Sequence, residues 1–271
     1  MSMTAGSRVR HVAVGELTIA YEQAGSGPPL LMLHGGLSDH REWRAQIDDL
    51  ADTYTVVAWD TPGCGGSTVP PASFRMHDYA DVLAGFIEAL PLDRPHVLGL
   101  SWGSTLALEL FRRRPDLPRT LLLTAAYAGW AGSLPPDVVE ERLAAAERDL
   151  SSNEPERIIR AWLPTLFTER ASPEMLDDFV STFSTFDPEG VRPMLRAMAE
   201  ADLRATLPTI AVPTLLLYGA LDVRSPLAVA ETMRASIPDS TLVVMPDVGH
   251  QSNIEAPDPF NRAVRTFLDG R

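Results

Sequence analysis

Residues 96–113 read His96-Val97-Leu98-Gly99-Leu100-Ser101-Trp102-Gly103-Ser104-Thr105-Leu106-Ala107-Leu108-Glu109-Leu110-Phe111-Arg112-Arg113. His96–Leu100 is apolar enough for a buried strand. From Trp102 the spacing is helical, with no glycine or proline after Gly103. The chain must therefore turn from strand to helix at Ser101 alone. A Gly-x-Ser-x-Gly string arises often by chance, so its position at this junction carries the weight. In so sharp a turn the serine backbone is strained, the glycines let strand and helix approach, and Oγ projects above the sheet edge. The plainer alternative is a glycine-rich turn whose serine is incidental.

Outward from this junction, strands and helices alternate. Upstream, residues 9–14 and 18–23 flank Gly15 as a hairpin. Pro29–Leu33 is a short apolar run ending at His34-Gly35-Gly36. Residues 43–50 read as a helix and 54–59 as a strand stopped by Asp60-Thr61-Pro62-Gly63. Residues 76–90 place Tyr79, Val82, Leu83, Phe86 and Leu90 on one helical face. Downstream, Thr120–Thr124 is a strand. Residues 129–209 then hold no convincing strand; they are helical in composition and broken by eight prolines. Alternation resumes with strand 213–218, helix 227–237, strand 241–245 and helix 259–268.

Repeated β-α alternation predicts an α/β fold, a mostly parallel, doubly wound sheet with helices on both faces. The helical interruption is too long for a plain crossover. It is expected to be a cap that splits the core in sequence: residues 1–128 and 210–271 form the core, and 129–209 the cap.

A serine hydroxyl is a poor nucleophile until a base takes its proton. The candidate base is His250, in Pro246-Asp247-Val248-Gly249-His250, just past a strand. A histidine in that role needs a carboxylate to fix its tautomer and stabilise the imidazolium. Asp222, which follows strand 213–218 across Gly219-Ala220-Leu221, is the candidate. Asp247 is the rival, but a carboxylate three residues before a histidine rarely meets its ring nitrogen. Taken alone, His250 would be an ordinary loop histidine. The loop His34-Gly35-Gly36-Leu37 can offer a backbone N–H to an oxyanion. Gly36 is the favoured donor, Leu37 the fallback, and Trp102, next after Ser101, the second donor. His34 itself reads as a structural loop residue.

These motifs, with the turn Asp60-Thr61-Pro62-Gly63-Cys64-Gly65-Gly66-Ser67 and with Glu255 and Pro257 after Gly249-His250, resemble the α/β-hydrolase superfamily along nearly the whole chain. The resemblance implies an α/β-hydrolase fold with nucleophile, acid and base in the order Ser101, Asp222, His250. The run Ser101–Leu108 and His34-Gly35-Gly36 look like those of prolyl iminopeptidases. Those enzymes usually continue with Pro-Gly where this chain has Leu37-Ser38, and carry Gln-Arg where Thr61-Pro62 follow Asp60. The chain is also similar to small esterases and enol-lactonases. Haloalkane dehalogenases and epoxide hydrolases place Asp at the position of Ser101, so their alkyl-enzyme chemistry is not implied. The expected reaction is cofactor-free hydrolysis of a small carboxylic ester or lactone through an acyl-enzyme. One alternative is an N-terminal prolyl substrate, which would need inward cap carboxylates to hold its amine. Another is a ligand sensor of low turnover on the same scaffold.

Composition narrows the field. The chain has 271 residues, 45% hydrophobic and 22% charged, with formal net charge −13. A disordered chain would have fewer apolar residues, and nucleic-acid binding wants clustered positive charge. The one basic cluster, Arg112-Arg113-Arg114, suits a helix C-terminus. All 23 basic residues are arginine, which rules out a lysine Schiff base, a Ser–Lys dyad and a P-loop lysine. The lone Cys64 rules out an internal disulfide and a cysteine metal cluster, and reads as a packed loop thiol. The glycines at residues 63–66 complete no dinucleotide-binding pattern. His11, His40, His77 and His96 show no metal-ligand spacing, so neither metal nor cofactor is expected. No apolar run approaches a membrane span, residues 1–14 lack the apolar segment of a secretory leader, and a cytoplasmic location is the expectation. The expected partner is a small-molecule substrate, without nucleic acid or membrane; oligomeric state has no readable signature. Among the cap side chains Trp130, Trp162, Phe167, Met175, Phe179, Phe183, Phe186, Met194 and Met198, a few should line the pocket. Glu169, Glu174, Asp177, Asp178, Asp187, Glu189, Glu200 and Asp202 should form a solvated face.

Overall fold

The computed structural model describes residues 9–90 and 92–271. Residues 1–8, part of the stretch read for a leader, lie outside them. One eight-stranded sheet organises the chain: β1 (Arg10–Val14), β2 (Leu17–Ala24), β3 (Pro29–Leu33), β4 (Thr55–Trp59), β5 (His96–Leu100), β6 (Thr120–Thr124), β7 (Thr214–Gly219) and β8 (Ser240–Met245). Its spatial order is β1-β2-β4-β3-β5-β6-β7-β8. β1 and β2 form the expected hairpin, and β2 runs antiparallel to β4. From β4 onward every neighbouring pair is parallel.

Parallel strands are buried on both faces, so successive side chains feed opposite cores. Leu31, Leu33, Val57, Trp59, Val97, Leu121, Leu123, Leu216 and Tyr218 join one cluster. Leu30, Met32, Val56, Ala58, Leu98, Leu122, Leu215 and Leu217 join the other. The second face is covered by α1 (Arg44–Leu50) and α10 (Pro257–Leu268), through Ile47, Phe260, Val264 and Phe267. The first face is covered by α2 (Met76–Ala89), α3 (Trp102–Arg113) and α8 (Leu227–Ser236).

Most boundaries fall within two residues of the sequence expectation. The helix expected at 43–50 begins as a 3₁₀ turn at His40–Trp43, where the Asp39 carboxylate accepts the Arg41 N–H. The last helix starts at Pro257 rather than residue 259; proline suits a first helical position, where its missing N–H costs nothing. A short helix, α9 (Ser252–Glu255), precedes it. Between β6 and β7 lie four helices: α4 (Pro136–Ser151), α5 (Pro155–Leu166), α6 (Pro173–Phe183) and α7 (Pro188–Glu200). Each starts on a proline at its first helical position, so prolines that punctuate the sequence here begin helices. No helix among the described residues is long and apolar enough to cross a membrane.

Candidate active site

The loops that matter leave the carboxyl ends of β3, β5, β7 and β8, the rim where open parallel sheets hold ligands. Ser101 links β5 to α3 with φ 52° and ψ −105°, a backbone that L-residues seldom adopt. The neighbouring β6 secures it. Ser101 N–H donates to Thr124 O at 2.9 Å, and Ser104 Oγ lies 2.6 Å from Gly99 O and 3.0 Å from Thr124 O. Both motif glycines are required by space. A Cβ on Gly103 would sit 2.0 Å from Leu33 O, and one on Gly99 2.4 Å from Gly103 C.

Asp222 and His250 meet, although 28 residues separate them: His250 Nδ1 lies 2.8 Å from Asp222 Oδ2, and both side chains are buried. The other carboxylate oxygen, Oδ1, accepts the N–H groups of Arg224 (2.8 Å) and Ser225 (2.9 Å), which fixes the plane of the group. A carboxylate held this way accepts a hydrogen bond from Nδ1–H, so the bonding assigns the proton to Nδ1 and leaves Nε2 as acceptor. Asp247 is elsewhere. It is exposed and pairs with Arg170 at 3.0 Å. Ser101 and His250 line one cavity. Ser101 Oγ and His250 are not hydrogen-bonded to each other among the described residues, and in unliganded sites such contacts commonly tighten only when substrate binds.

Gly36 and Trp102 line that same cavity. Neither backbone N–H donates to an acceptor among the described residues; for Trp102, the first residue of α3, that is the normal condition of a helix start. Leu37, the fallback donor, is buried with φ 61°. Behind this loop, His34 Nε2 accepts the Thr61 N–H at 3.0 Å, so its Nδ1–H donates to Gly35 O at 2.7 Å. Burial lowers the His34 pKa and keeps the ring neutral, as that bonding requires. His34 is thus the structural loop residue the sequence suggested.

Two residues here escaped the sequence reading. Glu42 is fully buried; its Oε2 accepts the Gly35 N–H at 2.7 Å and its Oε1 accepts Gln251 Nε2 at 3.1 Å. Its carbonyl accepts Asn253 Nδ2 at 3.1 Å. One carboxyl thereby joins the Gly36 loop to the His250 loop, and burial pushes its pKa up to about 7. The second is Arg224, which lines the cavity. Neither carried a signal: Glu42 sits among other charges in Asp39-His40-Arg41-Glu42-Trp43-Arg44, Arg224 follows Asp222 by two residues, and both stretches read as surface.

The remaining lining comes largely from the inserted helices and their approach: Trp130, Trp162, Leu166, Met194, Leu195 and Met198. Phe167, Phe179 and Phe183 instead stack on one another, with ring centres 5.0 and 4.7 Å apart. All eight carboxylates of the insertion singled out in the sequence are exposed, as expected of a solvated face. Cys64 is buried with its thiol pKa pushed up, a packed thiol. His40, one of the histidines without metal-ligand spacing in the sequence, meets Asp60: Asp60 Oδ1 lies 2.7 Å from both its ring Nδ1 and its backbone N. Asp60 Oδ2 accepts the Gly66 N–H at 2.8 Å, and Asp39 is engaged by Arg41. With every oxygen so committed, the cluster reads as a knot between loops.

A family model described as alpha/beta hydrolase fold matches residues 28–257. The chain is 27% identical over 273 residues to a 2-(acetamidomethylene)succinate hydrolase of Mesorhizobium japonicum, across 96% of this chain and 95% of that one. Among solved structures it is similar to a thermophilic esterase from Thermogutta terrifontis, determined with malate bound: 31% identity, TM-score 0.88, covering 97% of this chain and 98% of that one. It is also similar to the enol-lactonase from Burkholderia xenovorans: 26% identity, TM-score 0.87, covering 96% and 100%.

Proposed function

Because this chain belongs to the alpha/beta hydrolase fold family, we propose that it is a serine hydrolase cleaving a small carboxylic ester or lactone. The observation that carries the reading is the His250–Asp222 pair, 2.8 Å apart, opening on the cavity that the strained Ser101 also lines. Ser101 Oγ attacks the carbonyl carbon while His250 Nε2 takes its proton. Asp222 holds the Nδ1–H and stabilises the imidazolium. The carbonyl oxygen, now an oxyanion, accepts from the N–H groups of Gly36 and Trp102, which donate to no acceptor among the described residues. Collapse expels the alkoxide, protonated by His250, and leaves an acyl-serine; from a lactone the alkoxide stays tethered. Water, deprotonated by His250, attacks the acyl carbon. The second oxyanion collapses to the carboxylic acid and Ser101 regains its proton.

The inserted helices act in this reading as a cap that walls the acyl site with Trp130, Trp162 and Met194 and excludes water. The lining includes no Asp or Glu among the described residues, so nothing there would hold the amine of an N-terminal prolyl substrate. The test compares p-nitrophenyl butyrate with proline p-nitroanilide, each with a Ser101→Ala control. Ester cleavage that disappears in Ser101→Ala, with a silent anilide, supports the reading. Efficient anilide cleavage, or near-wild-type kcat in Ser101→Ala, overturns it.

A further inference from the structure

The lining of the cavity includes a cation, Arg224, that has no carboxylate partner among the described residues. Arg224 stands two residues past Asp222, and its backbone is fixed from three sides: its N–H donates to Asp222 Oδ1 (2.8 Å), and its carbonyl accepts Arg142 Nη2 (3.0 Å) and the Tyr127 hydroxyl. The side chain is fixed as well. Cζ lies 4.8 Å from the centre of the Trp162 ring, and Nη1 donates to Thr165 Oγ1 at 3.0 Å. No Asp or Glu oxygen lies within 4.0 Å of the guanidinium among the described residues. Arg142, alongside, has no carboxylate partner within that distance either; it bonds Tyr127 Oη at 3.1 Å and lies over the Trp130 ring.

This is out of character for the molecule. Acidic residues outnumber arginines by 36 to 23, and surface arginines such as Arg41, Arg113, Arg114 and Arg265 all hold carboxylates. Arg224 is half-buried; a guanidinium partly withdrawn from water without a counter-charge carries a cost, and an aromatic face recovers only part of that. Arg224 also keeps its most useful edge free: Nε–H and Nη2 donate to no group among the described residues, and these two donors together grip a carboxylate side-on.

We infer that the Arg224 guanidinium, which lines the cavity stacked on Trp162 and engages neither Nε nor Nη2 among the described residues, receives a carboxylate of the substrate, so that the enzyme acts on esters or lactones bearing a second, free acid group. The inference rests on the serine-hydrolase reading for the bond cleaved, and adds what the substrate carries away from that bond.

The test measures kcat/KM for mono-p-nitrophenyl esters of glutaric, adipic and pimelic acids against neutral p-nitrophenyl hexanoate, all with one leaving group. The wild type is expected to prefer at least one acid ester. Arg224→Gln should reduce that preference roughly tenfold to a hundredfold, the size of a lost charge-assisted hydrogen bond. The loss should fall mainly in KM, and Arg224→Lys should restore part of it. Equal wild-type values for acid and neutral esters overturn the inference, as does an Arg224→Gln variant that slows both kinds equally. If no ester is cleaved above the Ser101→Ala background, the ester reading fails, and titration with free adipate or glutarate decides this one separately. Binding by the wild type that is lost in Arg224→Gln upholds it, and absence of binding overturns it.

Discussion

The Gly35 N–H meets Glu42 Oε2 at 2.7 Å, and through that carboxyl the loop after β3 is tied to Gln251, next to His250. Because burial raises the Glu42 pKa to about 7, the folded protein retains a proton that the unfolded chain releases at lower pH. The stability this group contributes is full below its unfolded pKa and is lost as pH rises through about 7. The loss amounts to a few kcal/mol. Glu42→Gln keeps an oxygen for Gly35 and cannot ionise. Urea unfolding at mildly acidic and mildly alkaline pH should show the wild type losing stability relative to Glu42→Gln as pH rises. Parallel pH dependences would contradict this.

His34 has the opposite slope. Burial depresses its folded-state pKa, so its contribution is present above the unfolded pKa and lost as pH falls through the folded one. His34→Gln, compared with wild type by the same unfolding series on the acid side, should lose less stability on acidification. A wild type no more acid-sensitive than the variant would count against a neutral, doubly bonded His34.

Asp222→Asn should lower kcat about 10⁴-fold, by the tautomer argument known from serine proteases. The backbone donors Arg224 and Ser225 hold an oxygen at the Oδ1 position, so the new Nδ2 faces His250. The imidazole must then accept at Nδ1 and carry its proton on Nε2, where it cannot take one from Ser101. Asp247→Asn, at an exposed position paired with Arg170, should leave kcat unchanged. Retention of a tenth or more of kcat by Asp222→Asn would remove Asp222 from the proposed mechanism.

Gly103→Ala should cost more than about 3 kcal/mol in urea unfolding, because its methyl would lie 2.0 Å from the Leu33 carbonyl oxygen, an atom of the central sheet. Gly36→Ala should stay within about 1 kcal/mol, since the nearest obstacle is the flexible Met194 Cε at 4.0 Å. Equal losses at both positions would contradict the packing argument.

What could be read in advance was whatever the chain writes locally. The apolar strands, the elbow at Ser101 and the loops carrying Asp222 and His250 announce themselves in short runs, and the structure brings Asp222 and His250 together. Contacts between distant segments that no motif marks could not be read. Glu42 draws its partners from 7 and 209 residues away, and His40 finds Asp60 across 20. Arg224 differs from the other arginines only in what surrounds it. Helix starts shifted where one capping group decided them, as Asp39 did before the 3₁₀ turn.

β8 closes one margin of the sheet, with strand pairing on one side only and Val244 exposed. Ser101 stands instead on β5, between β3 and β6. The two halves of the proposed proton transfer therefore hang from strands of unequal tenacity. Fraying of a margin needs far less energy than opening the centre, so loosening of β8 is expected to displace His250 before it disturbs the nucleophile. Warmed gradually, the protein should fall silent as an enzyme before it melts, with the activity midpoint below that of its circular dichroism, and should recover on cooling.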